Sequence, residues 1–152
     1  MRALGIAVRV SKWKSTVSLV LLETTAHAED SPVAVLEQLT VTDDARDWAS
    51  HVGNVASAVR GHAKSMELDV VVVRRADQSP QGRNSDGPKL RLMIEGGIVA
   101  ACLDVNSSVQ VRTGHECGKA CATTKESLEQ RAELLSGKAY REACAAALSA
   151  VD

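Results

Sequence analysis

The sequence predicts an α/β fold: a mixed five-stranded sheet, antiparallel at first and then parallel, with helices on both faces. Three observations lead there. The β-prone runs Ala3–Val10, Thr16–Glu23 and Val33–Val41 follow one another across short links, the pattern of an antiparallel meander. A helical periodicity then begins beyond Asp44. After it come Val70, Val71, Val72 and Val73, consecutive β-branched residues suited to a strand covered on both faces.

The first run ends at a polar break, Ser11, Lys12, Trp13, Lys14 and Ser15, which fits a hairpin. In the second run Val17, Leu19 and Leu21 alternate against Thr16, Ser18 and Val20. The small polar residues from Thr24 to Pro32 read as a loop. Thr42, Asp43 and Asp44 offer N-cap chemistry and early negative charge for the first helix. In that helix Trp48, Val52, Val55, Ala56, Val59, Ala63 and Met66 recur at three- and four-residue spacing. His51 and His62 fall off this stripe and are expected at the surface, while Gly53 and Gly61 weaken the helix slightly. Arg74 and Arg75 end the fourth strand. Asp77–Pro88, with Pro80, Gly82, Asn84, Ser85 and Gly87, reads as the clearest loop. Leu90–Leu103 reads as a second helix and Ser108–Arg112 as a fifth strand. Thr113–Cys121, Thr124–Leu135 and an Ala-rich Ala139–Val151 complete the helices.

The chain of 152 residues suits one domain, 1–152. Aromatic residues make up only 2%, so the core must be built from Val, Leu, Ile and Ala. A net charge of -1 gives no general pull toward nucleic acid or membrane, though a local basic patch remains compatible with it. Arg9, Lys12 and Lys14 interrupt the first apolar segment, which argues against a secretory signal. No apolar stretch approaches the roughly 20 residues of a bilayer span. A cytoplasmic protein with no membrane partner is expected. Cys102 and Cys144 lie in apolar, Ala-rich runs and read as buried small hydrophobes; a disulfide framework is not expected.

The order of elements, with Leu4-Gly5-Ile6 in the first strand, Ile94-Glu95-Gly96-Gly97-Ile98-Val99-Ala100-Ala101 in the central helix, Val109–Arg112, Gly118-Lys119, the Lys125 segment and the Ala143–Ala150 run, resembles the ribonuclease-H-like fold of RuvC-type junction resolvases. The resemblance spans nearly the whole chain. A small uncharacterised bacterial family of similar length, with an Arg after its fourth strand comparable to Arg74, shows the same layout. The resemblance implies a three-layer fold and, in active members, carboxylates around divalent metal ions for phosphodiester cleavage. At the first of the implied acidic positions stands Ala7; Val73, Arg74 and Arg75 occupy the end of the fourth strand, where the second lies. The last helix offers Glu142 alone. One Glu does not make a two-metal site. The expectation is a pseudo-nuclease with no catalytic residues, metal or cofactor.

The first candidate site is basic. Arg9, Arg74, Arg75 and Arg112 lie at or near the ends of the first, fourth and fifth predicted strands, which converge in the implied fold. Guanidinium groups there would repel metal and attract phosphate. Lys12 and Lys14 on the hairpin, with Arg83, Lys89 and Arg91 around the long loop, could extend the surface. The plainer reading is ordinary solvated strand ends, some paired with Asp77, Asp86 or Glu95. Scarce aromatics argue against single-strand binding by base stacking. The second candidate is His115, Cys117 and Cys121, which could supply three zinc ligands; the alternative is a helical turn with buried thiols. The Gly82–Gly87 stretch lacks the Lys-Ser/Thr ending of a phosphate-binding loop. His27, His51 and His62 have no paired nucleophile in a recognisable motif.

The leading expectation is therefore a non-catalytic ribonuclease-H-like domain associated with duplex or junction nucleic acid. The alternative is a protein-interaction or homodimerisation module, motivated by the close-packing Ala-rich last helix and the glycines of the second helix. An enzyme with unrecognised chemistry is the third option.

Overall fold

A computed structural model describes residues 1–25, 32–77 and 85–151. Its strands are β1 (Arg2–Ser11), β2 (Lys14–Thr24), β3 (Val33–Asp43), β4 (Val70–Arg74) and β5 (Val109–Arg112). The helices are α1 (Trp48–Lys64), α2 (Asp86–Leu103), α3 (Gly114–Ala120), α4 (Lys125–Ser136) and α5 (Arg141–Val151), with a 3-10 turn at Lys138–Tyr140. The strands form one sheet in the order β3-β2-β1-β4-β5. β1, β2 and β3 are antiparallel neighbours, whereas β4 runs parallel to β1 and β5 parallel to β4.

Strand alternation divides the apolar residues between two faces. Leu4, Ile6, Val8, Val71 and Val73 pack with Val55, Val59, Leu90, Ile94 and Ile98 beneath α1 and α2. Ala3, Ala7, Val70 and Val72 pack with Leu128, Ala132 and the alanines of α5 on the other. Gly5 explains the fit of α5. A Cβ there would lie 1.9 Å from the Ala143 carbonyl oxygen, so the helix backbone rests directly on β1.

Several boundaries differ from expectation. α1 is capped by Asp47, whose side chain accepts from the Ser50 amide, and not by the Thr42–Asp44 run, which β3 absorbs through Asp43. α2 begins at Asp86, inside the stretch read as loop. The expected final helix opens as a 3-10 turn. The polar break between β1 and β2 is only a two-residue turn, with Ser11 opposite Lys14. His27, Arg83 and most of the two long loops lie outside the described residues.

His51 corrects the expectation of a surface residue. It is fully buried, with Nε2 2.7 Å from Ser15 Oγ and Nδ1 2.8 Å from the Ala45 carbonyl oxygen. Trp13, on the hairpin turn, donates from Nε1 to the same carbonyl at 2.5 Å and meets Trp48 edge to face. A polar face of α1 is thus covered by the β1–β2 turn, a long-range contact invisible to helical periodicity. His62 is exposed.

Candidate nucleic-acid interface

Parallel pairing sets Ala7 of β1 beside Arg74 of β4, on the sheet face covered by α5. Arg74 is not the solvated strand-end cation expected. It is 2% exposed. Its Nη2 donates to Glu129 Oε1 of α4 at 2.8 Å and lies 3.5 Å from Asp77 Oδ2. Lys125 Nζ reaches Asp77 Oδ2 at 2.6 Å, and the Gly114 amide donates to Asp77 Oδ1. A Cβ on Gly114 would come within 2.3 Å of Arg74 Nη2, so the start of α3 is moulded around the guanidinium. Burial alone would weaken proton binding by Arg74, but the Glu129 and Glu142 carboxylates outweigh it and hold the group firmly protonated. Arg74 Nη1 is buried and has no hydrogen-bond partner.

Beside Ala7, a cleft of about 150 Å³ opens between the sheet and the start of α5. Arg9, Thr16, Ser18, Thr40 and Glu142 line it. Arg9 is exposed, as are Lys12 and Lys14 farther along the hairpin. Arg75 is half-buried and, by strand alternation, leaves β4 on the α2 side; its charge is felt at Glu95. Arg112 faces the α5 side, where Nη1 donates to the Ser149 carbonyl oxygen and to Ser149 Oγ, next to the negative end of the helix dipole. The structure therefore gathers Arg9, Lys12 and Lys14 on one ribbon, sets Arg74 and Arg112 side by side on the α5 face, each engaged by its own partners, and sends Arg75 to the other face. Lys89 is exposed, and Arg91 pairs with the buried Glu95 at 3.0 Å.

Sequence reasoning missed the Glu129–Lys125 half of the Arg74 cluster. Nothing in the charge pattern of α4 distinguishes Glu129 from its solvated neighbours. Arg46 was also missed, because Asp43, Asp44 and Asp47 mask it in the sequence; it is exposed beside Ala45, the anchor of the hairpin turn.

The second candidate is a helical turn. Cys117 is buried, Cys121 sits at the C-cap of α3, and His115 is exposed. Burial pushes the Cys117 thiol up, against opposing effects of Ser149, Arg74 and Arg112. Cys102 is pushed up to about 11 by burial. Among the described residues no group of three or more His, Cys, Asp or Glu side chains is arranged to hold a metal ion.

The residues at the strand ends do not fit a pair of divalent ions. Ala7 offers no side-chain oxygen, and Arg74 places a fixed positive charge where the resemblance implies a carboxylate. Glu142 is left as the acid of the cleft, already under the field of Arg74. No described helix is long and apolar enough to cross a membrane.

No protein-family model and no curated protein matches the chain. Solved structures do. The chain is similar to the Thermus thermophilus RuvC structure, with a TM-score of 0.74 and 15% identity over 98% of this chain and 92% of that one. It is also similar to T. thermophilus RuvC in complex with a Holliday junction substrate, with a TM-score of 0.72 and 16% identity over the same shares. The fold is that of the RuvC-type ribonuclease-H-like proteins, as the resemblance implied.

Proposed function

We propose that this chain is a RuvC-type frame that binds nucleic acid along its backbone and does not cleave it by the metal-dependent route. The observation that supports the loss of cleavage is the Ala7–Arg74 pair: one side chain without a ligand atom beside a buried guanidinium already matched by Glu129 and Asp77. Support for binding comes from the fold, shared with a solved structure described in complex with a Holliday junction substrate, and from the exposed cations Arg9, at the cleft, and Lys12 and Lys14, farther along the same hairpin. Arg75 and Arg112 contribute positive potential at the neighbouring strand ends. Phosphate contacts of this kind give affinity with little sequence preference.

The test is fluorescence anisotropy with labelled duplex, four-way junction and single strand at stepped salt. Affinity for duplex or junction that falls linearly with the logarithm of salt concentration is expected. An absence of binding at low salt would end this reading.

A second reading, self-association without nucleic acid, is favoured by one observation. Leu92, Met93 and Leu103 of α2 are 66%, 46% and 53% exposed, with Gly96 open between them. A run of exposed apolar side chains on one helix suits a protein contact. Sedimentation over a range of concentrations checks it: a dimer abolished by Leu92→Glu, in a protein that binds no nucleic acid, would replace the first reading.

A further inference from the structure

β1 and β2 continue well past the end of the parallel sheet. β4 pairs with β1 only as far as Ala7, whereas β2 pairs with it to Ser11. The four residues Val8–Ser11 therefore extend roughly 13 Å beyond the end of β4, at about 3.3 Å per residue, with Val8 and Arg9 lining the cleft. The turn at the tip is unusual. Lys12 and Trp13 both adopt positive φ, 49° and 65°, as a type I′ hairpin turn requires, although neither is Gly or Asn. Strain retained in this way calls for a reason.

The reason lies in what each residue does. Trp13 turns inward, where the Ala45 carbonyl, Trp48 and His51 fix it. His51 in turn bonds Ser15, the first β2 residue beyond Lys14. The tip is thereby fastened at Trp13 and Ser15, on the β2 side of the turn, and Lys12 and Lys14 are left at the surface. Neither lysine, nor Arg9 or Arg46 nearby, has an ion-pair partner among the described residues. Arg2, Arg60, Arg74, Arg91, Lys125 and Arg141 are ion-paired, while Lys64, Arg75, Lys89, Lys119 and Lys138 are, like the tip lysines, without an ion pair among the described residues. Of the local acids, Asp43 accepts from the Ala45 amide and Asp47 caps α1, whereas Asp44 is exposed.

We propose that the overhanging β1–β2 tip is a rigid shelf for successive backbone phosphates of a nucleic-acid duplex lying across the cleft. Lys12 and Lys14 make the contacts, and Trp13, His51 and Ser15 serve as positioning residues. The inward Trp13 leaves the tip without an exposed ring for base stacking, which favours a duplex over a single strand. This inference rests on the nucleic-acid reading above.

The experiment compares the salt dependence of duplex binding for the wild type, Lys12→Gln/Lys14→Gln, Trp13→Gly, and a control, Lys64→Gln/Lys119→Gln, which removes the same charge elsewhere. The lysine pair at the tip is expected to lower the slope of log K against log salt by about 2, at roughly 0.9 per phosphate, with the control near wild type. Trp13→Gly, which suits the turn but removes the anchor, is expected to weaken binding several-fold with its charge intact and to speed amide exchange at Ser15. Wild-type binding to which the tip lysines and the control contribute equally would overturn the shelf alone. Preference for single strand would overturn the choice of partner. No wild-type binding would remove both the shelf and the reading beneath it.

Discussion

The guanidinium of Arg74 and the carboxylate of Glu129 meet at 2.8 Å between β4 and α4, with side chains 3% and 15% exposed. Removing one member of a buried pair leaves the other charge uncompensated. Glu129→Ala is therefore expected to destabilise the fold by about 2–4 kcal/mol, reduced from the fully buried case by the residual exposure of Glu129 and by the second partner, Asp77. Urea unfolding monitored by circular dichroism measures it. A loss below about 0.5 kcal/mol, the level of an exposed pair, would show that the cluster does not hold α4 to the sheet.

Asp77 and Glu95 give opposite pH dependences. Burial would raise the Asp77 carboxyl, but Lys125, Arg74 and the Gly114 amide outweigh it and hold it below the usual range. A depressed carboxyl stabilises the fold above its unfolded value, about 3.9 for Asp, and that contribution is lost as pH falls through the folded value. Asp77→Asn is expected to flatten the acid limb of a stability–pH curve below about pH 4. Burial raises Glu95, and Arg91 and the Ala76 amide only partly oppose it. Its contribution is fully present below about pH 4.3 and declines as pH rises through its folded value. Glu95→Gln should therefore remove a decline on the alkaline side of that point. Thermal melts run in buffers from acid to neutral read both variants.

Ser15→Ala leaves the buried His51 Nε2 without its hydroxyl partner at 2.7 Å. A cost of about 1–3 kcal/mol is expected, the range for an unsatisfied buried polar group. Denaturant midpoints check this, and His51→Phe in the same background should make the two changes strongly non-additive.

Gly5→Ala sets a methyl group into the backbone of α5, 1.9 Å from the Ala143 oxygen and 2.6 Å from the Ala147 nitrogen. Backbone cannot rotate away as a side chain can. Loss of at least about 3 kcal/mol, or failure to fold, is expected. Gly53→Ala and Gly96→Ala, where an added Cβ meets nothing within 4 Å, should instead stabilise their helices by about 0.5–1 kcal/mol.

The strands and helices were legible because their patterns are local. The valines of β4, the alternation of β2 and the stripe of Val55, Val59 and Ala63 each follow from a period that a few residues reveal. The candidate site was legible only in its absences, with Ala7 and Arg74 standing where acids are implied. What Arg74 does was legible only in part: Asp77 lies three residues on, but Glu129, its other partner, and Lys125, which shares Asp77, arrive from α4 by tertiary packing. His51 shows the same limit: a polar residue on a helix was read as solvated, and the β1–β2 turn covers it. Of the six cations expected to act together, Arg75 leaves by the opposite face, because strand alternation separates it from Arg74.

Binding and cleavage followed in the same tubes test the central claim most directly. Labelled junction and duplex would be incubated with the protein in magnesium or manganese at stepped salt, and each sample divided between anisotropy and a denaturing gel. Salt-sensitive binding with intact strands is the expected result. Metal-dependent cleavage that disappears in Glu142→Ala would contradict it, because it would place a working metal site beside Arg74.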